Sequence, residues 1–263
     1  MADSFYVPVG ENTWLATVHT TGPWDARAQH GGPPSALLGR AMQRCAARDD
    51  MIIARVTCEI LGAIPVGELT VRAQVARPGR SVELLEAVAS AGGREVVRAR
   101  AWRVLRSSSE PVPPRAAPAP PLPASPVSDP PGGWVGGYLS AVEWRPARGN
   151  FGVPGPATVW ARLRYPLVAG EETSPLERVL AIADSGNGAS GELDIAHWHF
   201  INPELTVHLH REPAGEWICL DAQTAISPGG AGLATSVLSD LDGPVGAGAQ
   251  SLLIAPRPAS LRP

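Results

Sequence analysis

The sequence predicts an α+β fold built twice over, each copy a mostly buried helix followed by four antiparallel strands. Three observations carry this. A proline-rich stretch divides the 263-residue chain. Both halves show the same succession of apolar helix and period-two segments. One offset aligns turns and strands between them.

In the first half, Trp14 to His19 reads as a short strand. His30-Gly31-Gly32-Pro33-Pro34 then leads into a helix over Ser35-Ala36-Leu37-Leu38-Gly39-Arg40-Ala41-Met42. Proline suits a helix start, where its missing N–H costs nothing. Small and apolar residues continue nearly all the way round, as in a buried helix. The period then changes to two, and Ile52 to Leu61, Leu69 to Ala76, Val82 to Ala89 and Glu95 to Leu105 read as strands. Turns fall at Pro65-Val66-Gly67-Glu68, Pro78-Gly79 and Gly92-Gly93.

In the second half, Ser174 is the expected N-cap of a helix through Asp184, with Glu177 at the capping-box position. Strands are expected at Leu205 to Arg211, Trp217 to Thr224, Leu233 to Leu238 and Val245 to Ile254. An offset of 148 aligns Pro65-Val66-Gly67-Glu68 with Pro213-Ala214-Gly215-Glu216 and carries Val97, Ala99, Ala101 and Val104 onto Val245, Ala247, Ala249 and Leu252. A buried helix needs apolar partners around much of its surface, and a curved antiparallel sheet supplies them. The expectation is a double hotdog, its two sheets joined edge to edge into one. The expected units are 1–106 and 134–263. Residues 107–133 form the linker, and ten of the 21 residues from Pro111 to Pro131 are proline.

Composition narrows the function. Apolar residues make up 44% of the chain, enough for a full core, and the net charge is −3. No excess of positive charge is available for a nucleic-acid backbone. The N-terminal residues lack the basic and apolar regions of a signal peptide, and no stretch is long and apolar enough to span a membrane. A cytoplasmic setting is the default. Cys45, Cys58 and Cys219 are too sparse for a disulfide framework or a zinc site and read as small buried hydrophobes.

The ordered motifs resemble the double-hotdog acyl-CoA thioesterases of the thioesterase II type, and more narrowly their shorter bacterial relatives. The first half carries His30-Gly31-Gly32-Pro33-Pro34-Ser35-Ala36-Leu37-Leu38, Arg55-Val56-Thr57, Gly67-Glu68-Leu69 and Arg77-Pro78-Gly79-Arg80-Ser81. The second carries Ala183-Asp184, Phe200-Ile201-Asn202-Pro203-Glu204-Leu205-Thr206-Val207, His210-Arg211, Gly215-Glu216-Trp217 and Ala249-Gln250-Ser251-Leu252. The resemblance implies hydrolysis of an acyl-CoA or acyl-carrier thioester, in fatty acid metabolism, by a water held by an Asp, a Thr or Ser, and a Gln. Those roles fall on Asp184, Asn202 and Gln250. Asn202 departs from the hydroxyl pattern, and Thr206 is the alternative for that place.

The residues fit this chemistry. Asp184 ends an apolar run, so its carboxyl is expected to lose water and gain basicity. Gln250 is a polar amide in an apolar strand and needs partners. The offset sets Trp102, Ala54 and Ala36 opposite Gln250, Asn202 and Asp184, so the polar set is expected once only. His30, Gly31 and Gly32 precede a helix whose free N–H groups suit a carbonyl oxygen, which makes them candidate substrate contacts. Trp102, Trp198 and Trp217 are candidates to line an acyl channel, or else belong to the core. His197-Trp198-His199 and His208-Leu209-His210 have spacings that can bind metal but lack a third ligand, so neither metal nor cofactor is expected. Two other readings stay open: a non-catalytic acyl-CoA binding protein, and a hotdog dehydratase or hydratase. Whether the double hotdog pairs further into a homodimer stays open as well.

Overall fold

The computed structural model describes residues 3–108, 118–124 and 136–257. The first half contains β1 (Tyr6–Gly10), β2 (Thr13–Ala16), α1 (Gly32–Arg44), β3 (Met51–Ile60), β4 (Glu68–Arg77), β5 (Val82–Ala91) and β6 (Arg94–Leu105). The second contains α2 (Gly137–Ser140), β7 (Val142–Arg148), β8 (Ala157–Leu163), α3 (Pro175–Ala183), α4 (Gly186–Ala189), β9 (Trp198–Ile201), β10 (Glu204–Leu209), β11 (Ile218–Ile226), β12 (Ala231–Asp240) and β13 (Gly243–Pro256). All thirteen strands join in one sheet, ordered β1-β2-β4-β5-β6-β3-β10-β13-β12-β11-β8-β7, with β9 added beside β13. This is the double hotdog. The central edges β3 and β10 pair antiparallel, so each half covers the other's exposed edge.

All eight strands expected after the two helices are present. A further strand was expected before the helix of each half; two are present in each case, β1 and β2 before α1 and β7 and β8 before α3, and β9 was not foreseen. The expected strand from Trp14 to His19 ends at Ala16, and Val18–Thr20 forms a 3₁₀ turn. The expected linker lies mostly outside the described residues. Its segment 118–124 lies inside, where Ala119 and Leu122 pack on Trp160, Trp217 and Cys219. Cys58 and Cys219 are buried, while Cys45 is half-buried at the end of α1. Among the described residues no helix is long and apolar enough to cross a membrane.

The halves repeat, but the offset read from the turns is one residue short. A shift of 149 carries the pairs Cys58↔Ala99, Val71↔Ala89 and Leu85↔Ala101 onto Val207↔Gly248, Leu220↔Leu238 and Ala234↔Gln250. The same shift carries Thr57↔Thr206 onto itself, which places that pair on the pseudo-twofold axis. A slip of one residue exchanges the two faces of a strand. The counterpart of Gln250 is therefore Ala101, buried like it, and not Trp102. By the same shift Ile53, not Ala54, corresponds to Asn202.

Helices α1 and α3 run antiparallel inside the curved sheet. Ser174 caps α3 as expected: its Oγ accepts from Glu177 N, and Glu177 Oε2 accepts from Ser174 N. Ser174 Oγ also donates to Gln43 Oε1 at 3.0 Å near the C-terminus of α1. Just past α1, Arg103 donates to the carbonyls of the C-cap Cys45 and of Ala46 and forms a buried ion pair with Glu83. Gly39 lets the helices touch, since a Cβ there would stand 2.4 Å from Leu180 Cδ1. Glycine is the poorer helix former, yet Gly39→Val is expected to cost about 1–3 kcal/mol through overpacking, read as a lower urea midpoint.

Candidate active site

The site forms where the first turn of α1 meets the last turn of α3. Two glycines permit the approach. A Cβ on Gly32 would stand 2.1 Å from Ala181 O, and one on Gly31 would stand 2.8 Å from Asp184 Oδ2. Asp184 is the C-cap of α3 and is 3% exposed. Its Oδ1 accepts from Asn202 Nδ2 at 2.7 Å and from Gln250 Nε2 at 3.3 Å. Its Oδ2 lies 3.1 Å from His30 Nδ1.

Two opposing effects act on this carboxyl. Burial raises its pKa, while the amides of Asn202 and Gln250 and the backbone N–H groups of Gly32 and Gly31 lower it. Burial wins and carries the pKa from 3.8 to about 7. Burial also pushes the neighbouring His30 imidazole down to about 3. Near neutral pH the site therefore holds a half-ionised carboxyl beside a neutral imidazole.

Asp184, Asn202, Gln250, His30, Gly31 and Gly32 come together as the sequence suggested, with two corrections. Thr206 is not among them. It lies between core residues Leu205 and Val207 and faces the opposite side of the sheet, with its Oγ1 3.2 Å from Thr57 Oγ1 and 3.1 Å from Glu204 Oε2. The N–H groups opening α1 are also not free for a carbonyl oxygen. That of Gly32 donates to His30 Nδ1 at 3.1 Å, and those of both glycines bear on Asp184.

Other contributors were not foreseen. Asn187 in α4 donates its backbone N–H to Gln250 Oε1 at 3.0 Å, which turns the Gln250 amide nitrogen toward Asp184. Gln250 Nε2 also donates to Asp184 O at 3.0 Å. Tyr138 stacks on His30 and donates its hydroxyl to Ala181 O at 2.8 Å. The run Ser185-Gly186-Asn187-Gly188 directly after Asp184 is a sequence signal that would have found Asn187; Tyr138 had none.

His30, Ser185, Asn187 and Asn202 line one wall of a cavity of about 570 Å³. The remaining lining is mainly apolar and includes Trp24, Ile60, Leu139, Phe151, Phe200 and Leu253. Trp24, not Trp102, Trp198 or Trp217, is the indole on this wall, edge-on to Phe200. Trp217 lies instead under Arg145 and Arg162. Of the imidazoles in the two paired motifs, His197 binds Asp194 at 2.8 Å, His208 and His210 are exposed, and His199 meets the cavity-lining Trp24 edge-on with centroids 5.6 Å apart. Among the described residues no group of three His, Cys, Asp or Glu side chains could hold a metal.

The opposite end of the helix pair has a smaller cavity of about 210 Å³, lined by Gln43, Ile53, Arg103 and Leu176 among others. The antiparallel packing puts Gln43 beside Ser174 there, as Asp184 stands beside Gly31 here, so the counterpart of Asp184 is in the last turn of α1 and not at Ala36. Ala101 and Ile53 stand for Gln250 and Asn202. The polar set exists at one end only.

Residues 20–104 match the family profile described as the acyl-CoA thioesterase N-terminal domain, and residues 114–254 match the acyl-CoA thioesterase C-terminal domain. The chain belongs to this thioesterase family, whose chemistry is the hydrolysis of acyl thioesters. Among solved structures it is similar to a provisionally assigned thioesterase II from Thermobifida fusca (19% identity, 95% of each chain, TM-score 0.71). It is also similar to a hot dog fold protein of unknown function from Alicyclobacillus acidocaldarius (15%, 94% of this chain and 92% of that one, TM-score 0.71). An acyl-CoA thioesterase II from Mycobacterium marinum is a further match (14%, 97% and 96%, TM-score 0.65). At these identities the likeness establishes the fold. No curated protein matches the chain.

The raised pKa of Asp184 has a consequence for stability. Its folded-state value, about 7, lies above the ordinary 3.8, so its contribution favours the fold at low pH and is lost as pH rises through about 7. Asp184→Asn cannot ionise. Its Tm is expected to gain on the parent's between about pH 4 and about pH 8, and melts at both ends of that range check the sign.

Proposed function

We propose that the protein hydrolyses acyl-CoA or a related acyl-carrier thioester, using a water activated by Asp184. The observation that carries this is a buried carboxyl with a pKa of about 7, set behind the polar wall of an apolar cavity. A base poised near neutral pH both binds and releases a proton readily. The apolar lining suits an acyl chain.

In this reading Asp184 takes a proton from water as the water oxygen attacks the thioester carbonyl carbon. The tetrahedral intermediate then collapses, the C–S bond breaks and the thiolate leaves. Gln250 and Asn202 direct amide N–H groups at Asp184 Oδ1, so they position the base. Asn202 also lines the cavity, and its Oδ1 is the acceptor that remains for the second hydrogen of the water. Thr206 has no part, being on the other face of the sheet. The two halves act as units 1–106 and 134–263 joined by 107–133, and the site needs both.

Steady-state hydrolysis of acyl-CoAs of graded length, followed with a thiol-detecting dye, tests the reading. The parent rate is expected to rise with pH through about 7 as Asp184 ionises. Asp184→Asn keeps the shape but removes the proton acceptor, and its kcat is expected to fall roughly 10²–10⁴-fold with little change in KM. Gln250→Ala is expected to lose less, and Thr206→Val to keep parental rates. A parent that binds acyl-CoA but hydrolyses no thioester of any length would make this a binding protein instead.

A further inference from the structure

His30 brings to the cavity a ring nitrogen that the Asp184 chemistry leaves unused. Its backbone N–H is tied to Thr20 O at 2.7 Å. Its ring lies flat on Tyr138, with centroids 3.9 Å apart and planes 11° from parallel. Tyr138 is itself fixed, its hydroxyl bonded to Ala181 O and 3.1 Å from Ser185 Oγ. In that setting Nδ1 faces the first turn of α1 and accepts the Gly32 N–H at 3.1 Å. A ring nitrogen that accepts from a backbone N–H presents a lone pair, so the single proton of neutral His30 sits on Nε2. Burial lowers the imidazole pKa to about 3, which favours the neutral ring near neutral pH.

We propose that the Nε2–H of neutral His30 is the donor to the thioester carbonyl oxygen and to the oxyanion it becomes, taking the place of the Gly31 and Gly32 N–H groups. This rests on the thioesterase reading above. Three features of the geometry suit the role. The helix N-terminus directs an N–H at Nδ1, which opposes protonation there and leaves a neutral, polarised Nε2–H. A neutral ring also avoids forming an ion pair with Asp184, which would suppress the base. Finally, Asp184 Oδ2 stands 3.1 Å from Nδ1, so Nδ1 is the ring nitrogen on the side of the base, and Nε2 is the one left for the cavity that His30 lines. No proton crosses the imidazole. The oxyanion gains only a hydrogen bond, the C=O bond re-forms as the C–S bond breaks, and the departing thiolate takes its proton from solvent.

Nitrogen-15 NMR of the histidine-labelled parent tests the tautomer. The His30 ring is expected as neutral Nε2–H from about pH 5.5 to about pH 8.5; an Nδ1–H tautomer or an imidazolium in that range overturns the proposal. Kinetics test the role. His30→Phe keeps a flat ring on Tyr138 but has no N–H, so kcat is expected to fall roughly 10²–10³-fold, with KM little changed and the rise in rate through about pH 7 retained. His30→Gln, which has an amide N–H, is expected to recover part of the loss. An active parent whose kcat survives His30→Phe overturns this assignment alone, whereas a parent inactive on every thioester overturns the reading beneath it. If the Phe variant does not fold, the tautomer of the parent decides.

Discussion

The contact between the first turn of α1 and the last turn of α3 constrains everything around it. It exists because Gly31 and Gly32 carry no Cβ to strike Asp184 and Ala181 O. The same contact aims the positive end of one helix at the carboxyl that ends the other. It also brings His30 from the first half against Asp184 from the second, so neither half contains the site alone. The long sheet serves this contact. Pairing of β3 with β10 on the pseudo-twofold axis sets the two concave faces side by side and holds the helices antiparallel within them.

A near-symmetric scaffold with an asymmetric site follows from what fills each end of the helix pair. At one end a buried carboxyl is surrounded by amide and backbone donors but has no cationic partner among them. Its desolvation outweighs its hydrogen bonds, so it remains able to exchange a proton near neutral pH. At the other end the charges are matched. Arg103 meets Glu83 and the carbonyls just past α1, and Ser174 meets Gln43. Glu177, the buried carboxyl of that end, is engaged by the Ser174 N–H in the capping box, so these groups close a helix end and hold the helix pair together.

The cavity gains much of its character from segments outside the regular repeat. Trp24 lies between β2 and α1 and Phe151 between β7 and β8, while Phe200 is in β9, which answers to the start of β3, since Ile201 pairs with Leu253 as Ile52 pairs with Val104. Asn187 sits in α4, immediately after the helix end that supplies Asp184, and sets the orientation of Gln250. The double hotdog thus supplies the carboxyl and its glycine neighbours from its helices, while loops and short elements supply the walls.

The chain order of residues was enough to specify two helices, eight strands, the N-cap at Ser174 and a polar set made of Asp184, Asn202 and Gln250. The elements and the cap rest on local chemistry: apolar periodicity, turn residues and a capping box. The polar set came from the family resemblance, with Asp184 and Gln250 also marked as polar side chains interrupting apolar runs. Register was not local. Turn residues suggested an offset of 148, but a turn can absorb a residue without penalty, whereas the strand faces tolerate no slip, and hydrogen-bonded pairing settled on 149. That single residue moved Trp102 out of the place opposite Gln250. Likewise Thr206 is four positions from Asn202, a spacing that keeps one face along an unbroken strand, yet the break at Asn202-Pro203 between β9 and β10 puts it on the far face. The tertiary structure also decided that the N–H groups of Gly31 and Gly32 are spent on Asp184 and His30, because only packing brings α3 to the start of α1. Side-chain type is written in the sequence; which face a side chain takes, and which donor is left free, depends on contacts made between residues far apart along the chain.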